Sequence, residues 1–202
     1  MRIKAIIFDM GGVILRTEDT SLIDSFASTL GLSGKELQRK IHGGASAHRA
    51  TLGEIDEFEQ WRLVLSELGL PSEKFLDLID PFYRSAKLDT DLLKFINGLR
   101  PKFKTGLLSN AWSNARNYFE TYTDVLRAFD VSVFSAEIGM AKPDLAIFSH
   151  ILHLLSVMPS ESIFVDDNMQ NVIAARDIGM NAFQFIDPQQ TEHQIIDLLG
   201  IH

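Results

Sequence analysis

Apolar and polar positions follow two different rhythms along the chain. Ile3 to Phe8 is an almost unbroken apolar run, the pattern of a strand buried on both faces of a parallel sheet. From about Thr20 to Lys87 the spacing turns helical: Leu22, Phe26 and Leu30, then Ile55, Phe58, Trp61, Leu65 and Leu68, then Phe75 and Ile79. Ser33 and Glu36 are spaced as a capping box, Gly43-Gly44 reads as a break, and Leu70-Pro71-Ser72 opens a further helix, so this stretch is predicted to be all-helical.

After Asp89 helix and strand alternate. Helices are predicted over Thr90 to Leu99, within Asn114 to Phe129, over Asp144 to Leu155, over Asn171 to Ile178 and over Thr191 to Leu199. Between them fall strands at Thr105 to Leu108, Val131 to Phe134, Ser162 to Val165 and Ala182 to Ile186. Such alternation predicts an α/β fold with a doubly wound parallel sheet, here interrupted after its first strand by an all-helical insertion. The expected division is a core of residues 1–16 and 88–202 and a helical cap of residues 17–87. Right-handed crossovers place the carboxyl ends of all strands on one edge, where such folds bind ligands.

Composition narrows the function classes. With 202 residues and 46% hydrophobic content the chain can bury one core and a modest appended unit. Its formal net charge of -8, from 19 basic and 27 acidic residues, repels nucleic acid and acidic membrane surfaces. No cysteine is present and the six histidines are scattered, which removes disulfides and thiolate metal sites. The apolar run after Met1-Arg2-Ile3-Lys4 is too short for a signal peptide, and no segment reaches the ~18 apolar residues of a membrane span. A cytoplasmic protein is expected, and the sequence carries no signal of its oligomeric state.

The residues that follow successive strands are Asp9, Ser109-Asn110 and Asp166-Asp167, and Lys142 precedes the helix expected from Asp144. Taken singly, each has a local explanation. Asp9 before Gly11-Gly12 suits a turn, Ser109-Asn110 suits a helix cap, and Lys142-Pro143 suits a helix start. Brought together at one sheet edge, a carboxylate, a hydroxyl, an ammonium and a paired acid can bind a divalent cation and an anionic group.

In this order FDMGGV, LSNA, AKPD and VDDNMQN resemble the four motifs of the haloacid dehalogenase-like hydrolases over nearly the whole chain. The helical insertion is similar to that superfamily's cap. Small bacterial sugar-phosphate phosphatases and the phosphatase domain of soluble epoxide hydrolases carry the most similar motifs. The resemblance implies a phosphatase acting on a small phosphorylated metabolite. It makes Asp9 the nucleophile that forms an aspartyl-phosphate. Ser109 and the amides of Met10 and Gly11 would bind phosphoryl oxygens beside Asn110, and Lys142 would balance the charge. Mg²⁺ would be held by Asp9, Asp167 and the carbonyl of Gly11, with Asp166 and Asn171 orienting Lys142 and metal-bound water.

One position departs from the family. Phosphatases of this superfamily usually carry a second aspartate, a proton donor to the leaving group, where this chain has Gly11. A positioned acid is typically worth ~10²–10⁴ in rate, so anomeric and aryl phosphates would suffer least from its loss. The resembling sugar-phosphate phosphatases also have glycine there. Glu18, Asp19, His42 and His48 are candidate substitutes, ranked below water. His42, His48 and Arg49 are also candidate substrate contacts, although such a cluster is more often a solvated face. Trp61 and the phenylalanines at helical spacing read as core, and His150, His153, His193 and His202 carry no signal. Two other functions remain open: a metal-free haloacid dehalogenase, for which Asp166-Asp167 would have no use, and a non-catalytic binder in which Gly11 marks lost activity.

Overall fold

The computed structural model describes residues 2–200; Met1 and His202, mentioned above, lie outside that range. In chain order the elements are β1 (Ala5–Phe8), β2 (Leu15–Thr17), α1 (Ser21–Thr29), α2 (Gly34–His42), α3 (Ala45–Thr51), α4 (Glu57–Glu67), α5 (Phe75–Ser85) and β3 (Ala86–Leu88). There follow α6 (Thr90–Leu99), β4 (Lys104–Ser109), α7 (Ala115–Tyr122), β5 (Val131–Phe134), α8 (Ser135–Ile138), α9 (Leu145–Leu155), β6 (Ser162–Asp166), α10 (Met169–Asp177), β7 (Asn181–Gln184) and α11 (Pro188–Leu199).

Five strands form one parallel sheet in the order β5-β4-β1-β6-β7. Every residue of β1 is buried, and its side chains alternate between two cores. Ile6 and Phe8 join Leu107, Ile163, Val165 and the α6 residues Leu92 and Ile96 on one face. Ala5 and Ile7 face the other way, against Phe164 and the α9 residues Ile147, Phe148 and Ile151. Gly106 lies opposite Ile7, and a Cβ there would come within 3.1 Å of both Ile7 Cγ1 and Leu155 Cδ1, so glycine lets α9 lie close on the sheet. Buried strands of this kind explain why apolar runs, not alternation, marked them in the sequence.

The inserted helices have a core of their own: Ile23, Ala27, Leu37, Ile41, Trp61, Val64, Leu65 and Leu78. The capping box on α2 is formed, with Glu36 N donating to Ser33 Oγ at 3.3 Å and Ser33 N donating to Glu36 Oε2 at 2.8 Å. The chain leaves and re-enters the sheet unit through an antiparallel ribbon in which β2 pairs β3, Leu15 opposite Leu88 and Thr17 opposite Ala86. An Arg16 to Asp89 contact of 2.6 Å secures it, and Asp89 also accepts the Leu92 amide at 2.9 Å to cap α6.

Several expectations need correction. The stretch to Lys87 is not wholly helical, because Ala86 and Lys87 belong to β3; three-residue strands carry too few positions to show a period. Phe58 is not core but 71% exposed, and α1 buries Ile23 and Ala27, one position on from the Leu22 and Phe26 series. The helix expected within 114–129 is α7, which stops at Tyr122, and a short 3-10 turn covers Val125–Ala128. α10 and α11 begin earlier than expected, at Met169 behind the capping Asn168 and at Pro188 behind the capping Asp187. β7 ends at Gln184, two residues short, and α8 was not foreseen. No helix among the described residues is long and apolar enough to cross a membrane.

Candidate active site

β4, β1 and β6 are neighbours and parallel, so the residues at their carboxyl ends meet. Asp9 follows β1, Ser109 ends β4 and Asp166 ends β6, all three buried. Lys142 reaches them from the loop before α9 and is itself buried. Its Nζ lies 2.7 Å from Asp9 Oδ1 and 2.7 Å from Asp166 Oδ2. A buried ammonium is tolerable only with such partners.

A set of hydrogen bonds fixes that ammonium. Asn110 clasps the Lys142 backbone, its Oδ1 accepting from Lys142 N and its Nδ2 donating to Lys142 O, both at 2.8 Å. Asp166 is held in turn by Asn171 Nδ2, 3.0 Å from each carboxylate oxygen, and by Asn168 N at 2.8 Å. The Asn110 side chain, expected at a phosphate, is thus engaged in placing Lys142. Likewise the Met10 amide, also expected at a phosphate, donates to Asp9 Oδ1 at 2.7 Å. Asp9 Oδ2 has no hydrogen bond from any described residue.

Asp9, Asp166 and Asp167 each offer an oxygen, and the three oxygens lie within 4.8 Å of one another. Three carboxylates against one ammonium leave surplus negative charge. Burial is the main reason the Asp9 carboxyl is pushed up to about 7, with the charge of Asp166 adding and Lys142 opposing. Asp167 is raised by burial and by Asp166. Lys142 is raised too, because Asp9 and Asp166 outweigh the opposite effect of its burial. Oxygen donors with unbalanced negative charge suit a hard divalent cation. Gly12 makes room for this cluster: at φ +78° it adopts a conformation that glycine tolerates, and a Cβ there would stand 2.2 Å from Asp167 Oδ2.

A cavity of about 610 Å³ opens over Met10, Gly11, Ser109 and Asn110, between the sheet edge and the inserted helices. A Cβ on Gly11 would meet nothing within 4 Å. Among the cap candidates only His42 lines this space. Arg49 pairs with Glu54 at 3.5 Å, and His48 is exposed. Glu18 contacts Arg16 at 3.2 Å, while Asp19 accepts from the Ser21 amide at 2.9 Å. Trp112 also lines the cavity and was missed, since a lone tryptophan in a loop has no periodic partner; Trp61, expected in the core, is buried and also lines the cavity.

Known proteins resemble this chain in sequence and in fold. Drimenol cyclase drtB of Aspergillus calidoustus is 27% identical over 202 residues, which are 98% of this chain and 37% of that protein. The chain therefore spans little more than a third of that relative. D-ribitol-5-phosphate phosphatase of Bacteroides thetaiotaomicron is 28% identical over 191 residues, 90% of this chain and 91% of the relative. A haloacid dehalogenase-family enzyme of the same bacterium, crystallised with magnesium and inorganic phosphate, shares the fold with a TM-score of 0.74. That likeness covers 90% of this chain and 93% of the other at 23% identity. Residues 3–179 match the haloacid dehalogenase-like hydrolase family, and the chain belongs to it.

Proposed function

We propose that this hydrolase is a Mg²⁺-dependent phosphatase that cleaves a small phosphorylated metabolite through an aspartyl-phosphate on Asp9. The observation that carries the reading is the junction of Asp9, Lys142 and Asp166 with Asp167 beside them, at the edge where the parallel strands end. Asp9 attacks phosphorus, the ester P–O bond breaks, and the leaving oxygen takes its proton from water. Water then attacks the acyl phosphate, releasing inorganic phosphate and restoring the carboxylate.

The Ser109 hydroxyl and the Gly11 amide bind phosphoryl oxygens, and Lys142 balances the charge gathered on substrate and nucleophile. Asp166, Asn171 and Asn110 keep Lys142 in place. Asp9, Asp167 and the Gly11 carbonyl are the oxygen donors that would hold Mg²⁺, which when bound neutralises charge on the phosphoryl group. Residues 17–87 act as a cap that covers the cavity and selects the leaving group. A haloacid dehalogenase would leave Asp167 without a role, and a non-catalytic binder would need Asp9 only as a metal ligand. A ribitol phosphatase among the relatives makes sugar phosphates the first compounds to compare.

Hydrolysis of p-nitrophenyl phosphate tests the reading, because nitrophenolate needs no proton to depart. Turnover with Mg²⁺ that disappears with chelator and in Asp9→Asn is the expected result. Activity that survives Asp9→Asn removes the nucleophile, and chelator-resistant activity removes the metal.

A further inference from the structure

The cavity over Gly11 is far larger than a phosphate group requires, and its walls are aromatic. Trp61 and Phe82 come from the inserted helices, while Trp112, Tyr118 and Phe119 come from the segment after β4. Trp61 and Trp112 pack edge to face with centroids 5.3 Å apart, and the His42 ring lies tilted at 5.4 Å from Trp112. Two polar tips are engaged on one cavity-lining carboxylate: Trp61 Nε1 donates to Glu57 Oε1 at 3.2 Å, and the Tyr83 hydroxyl stands 3.5 Å from the same oxygen. Among the described residues no lysine or arginine lines the cavity. His42 is exposed at the edge of this space, where the neighbouring Phe82 and Trp112 rings strip water from part of its ring and hold its pKa below the usual histidine value, so it supplies no fixed charge.

We propose that the site takes the monophosphate ester of an uncharged, apolar alcohol with a flat or unsaturated group, and disfavours polyol phosphates. The inference rests on the phosphatase reading and narrows its substrate. Each polyol hydroxyl stripped of water without a new partner weakens binding by roughly tenfold. From the inserted helices Gln38, His42, Glu57 and Tyr83 offer polar side chains, and Glu57 and Tyr83 already face each other. A flat apolar group instead gains about tenfold or more from burial, and stacking on the rings adds to this. A second anionic group would find no cation, which disfavours diphosphates and phosphorylated acids. Where the flat group is a phenol, it also leaves readily as its oxyanion, without the proton donor absent at Gly11.

Inhibition constants against p-nitrophenyl phosphate hydrolysis in Mg²⁺ measure this without depending on leaving-group chemistry. The probes are 2-naphthylmethylphosphonate and 2,3,4,5-tetrahydroxypentylphosphonate. The naphthyl compound is expected to bind at least about tenfold more tightly. Trp112→Ala should shrink that preference severalfold and Trp112→Phe should keep most of it. Equal or tighter binding of the polyol by an enzyme that still turns over p-nitrophenyl phosphate overturns the inference and leaves the phosphatase reading intact. A Trp112→Ala protein that is folded by circular dichroism and keeps the full preference overturns it as well. If Trp112→Ala does not fold, the wild-type ratio decides. An enzyme inactive on p-nitrophenyl phosphate removes reading and inference together.

Discussion

Gly11→Asp should convert this enzyme from one limited by its leaving group into one that is not. Nothing lies within 4 Å of a Cβ at position 11, and glycine there is not in the left-handed region, so a side chain can start there without backbone strain or a clash at its first carbon. The backbone carbonyl proposed to hold Mg²⁺ is retained. Gly11 lines the cavity and is exposed, so it is not burial but the surplus negative charge of the neighbouring Asp9, Asp166 and Asp167 cluster that favours the protonated form of the introduced carboxyl. A placed acid contributes ~10²–10⁴ in rate. At 1.36 kcal/mol per factor of ten this is about 2.7–5.4 kcal/mol of barrier. The gain should appear with 2-phenylethyl phosphate, whose alkoxide must be protonated, and shrink to a few-fold with p-nitrophenyl phosphate. The assay is the ratio of kcat for the two esters in wild type and variant at saturating Mg²⁺. A ratio unchanged within about threefold, in a variant that still hydrolyses p-nitrophenyl phosphate, would show that the proton already comes from elsewhere and would refute the reasoning.

Other outcomes follow from the buried charges and the cavity. Lys142→Met strands Asp9 and Asp166 and should destabilise the metal-free protein by ~3–5 kcal/mol in urea unfolding, with part of the loss restored by Mg²⁺. The His42 pKa lies below its ordinary 6.5, so the unfolded chain binds the proton more readily than the folded one. Stability should therefore fall as pH drops below about 6.5, until the folded-state pKa is passed, and His42→Phe should flatten that part of a melting-temperature profile. Gly12→Ala should displace Asp167 and raise the Mg²⁺ concentration needed for half-maximal turnover by roughly tenfold or more, read from a metal titration.

Much of the sheet unit was legible because buried parallel strands write themselves as apolar runs. Ile3 to Phe8 and Ser162 to Val165 announced β1 and β6, and strand order then brought Asp9 and Asp166 together across a separation of 157 residues in sequence. Ser33 and Glu36 marked α2 because a capping box is a local contact between nearby residues. The β2–β3 ribbon left no trace, since Leu-Arg-Thr and Ala-Lys-Leu are too short to show a period. Nor could the sequence reveal that Asn110 would engage Lys142, or that Trp61 and Trp112 would face one another from distant segments. Those contacts depend on how the helical insertion settles against the sheet edge, a tertiary fact without a local signature.

The β2–β3 ribbon has a consequence for how such enzymes diversify. Because Leu15 and Leu88 are paired, the two points where the helical segment joins the sheet unit lie only about 5 Å apart. Whatever is threaded between them presents the nucleophile's scaffold with the same pair of neighbouring ends. The segment is thus a cassette: grafting a different one at this junction would replace the Trp61 and Phe82 side of the space around a bound ester, keep the Trp112 side, and leave the chemistry beneath it undisturbed.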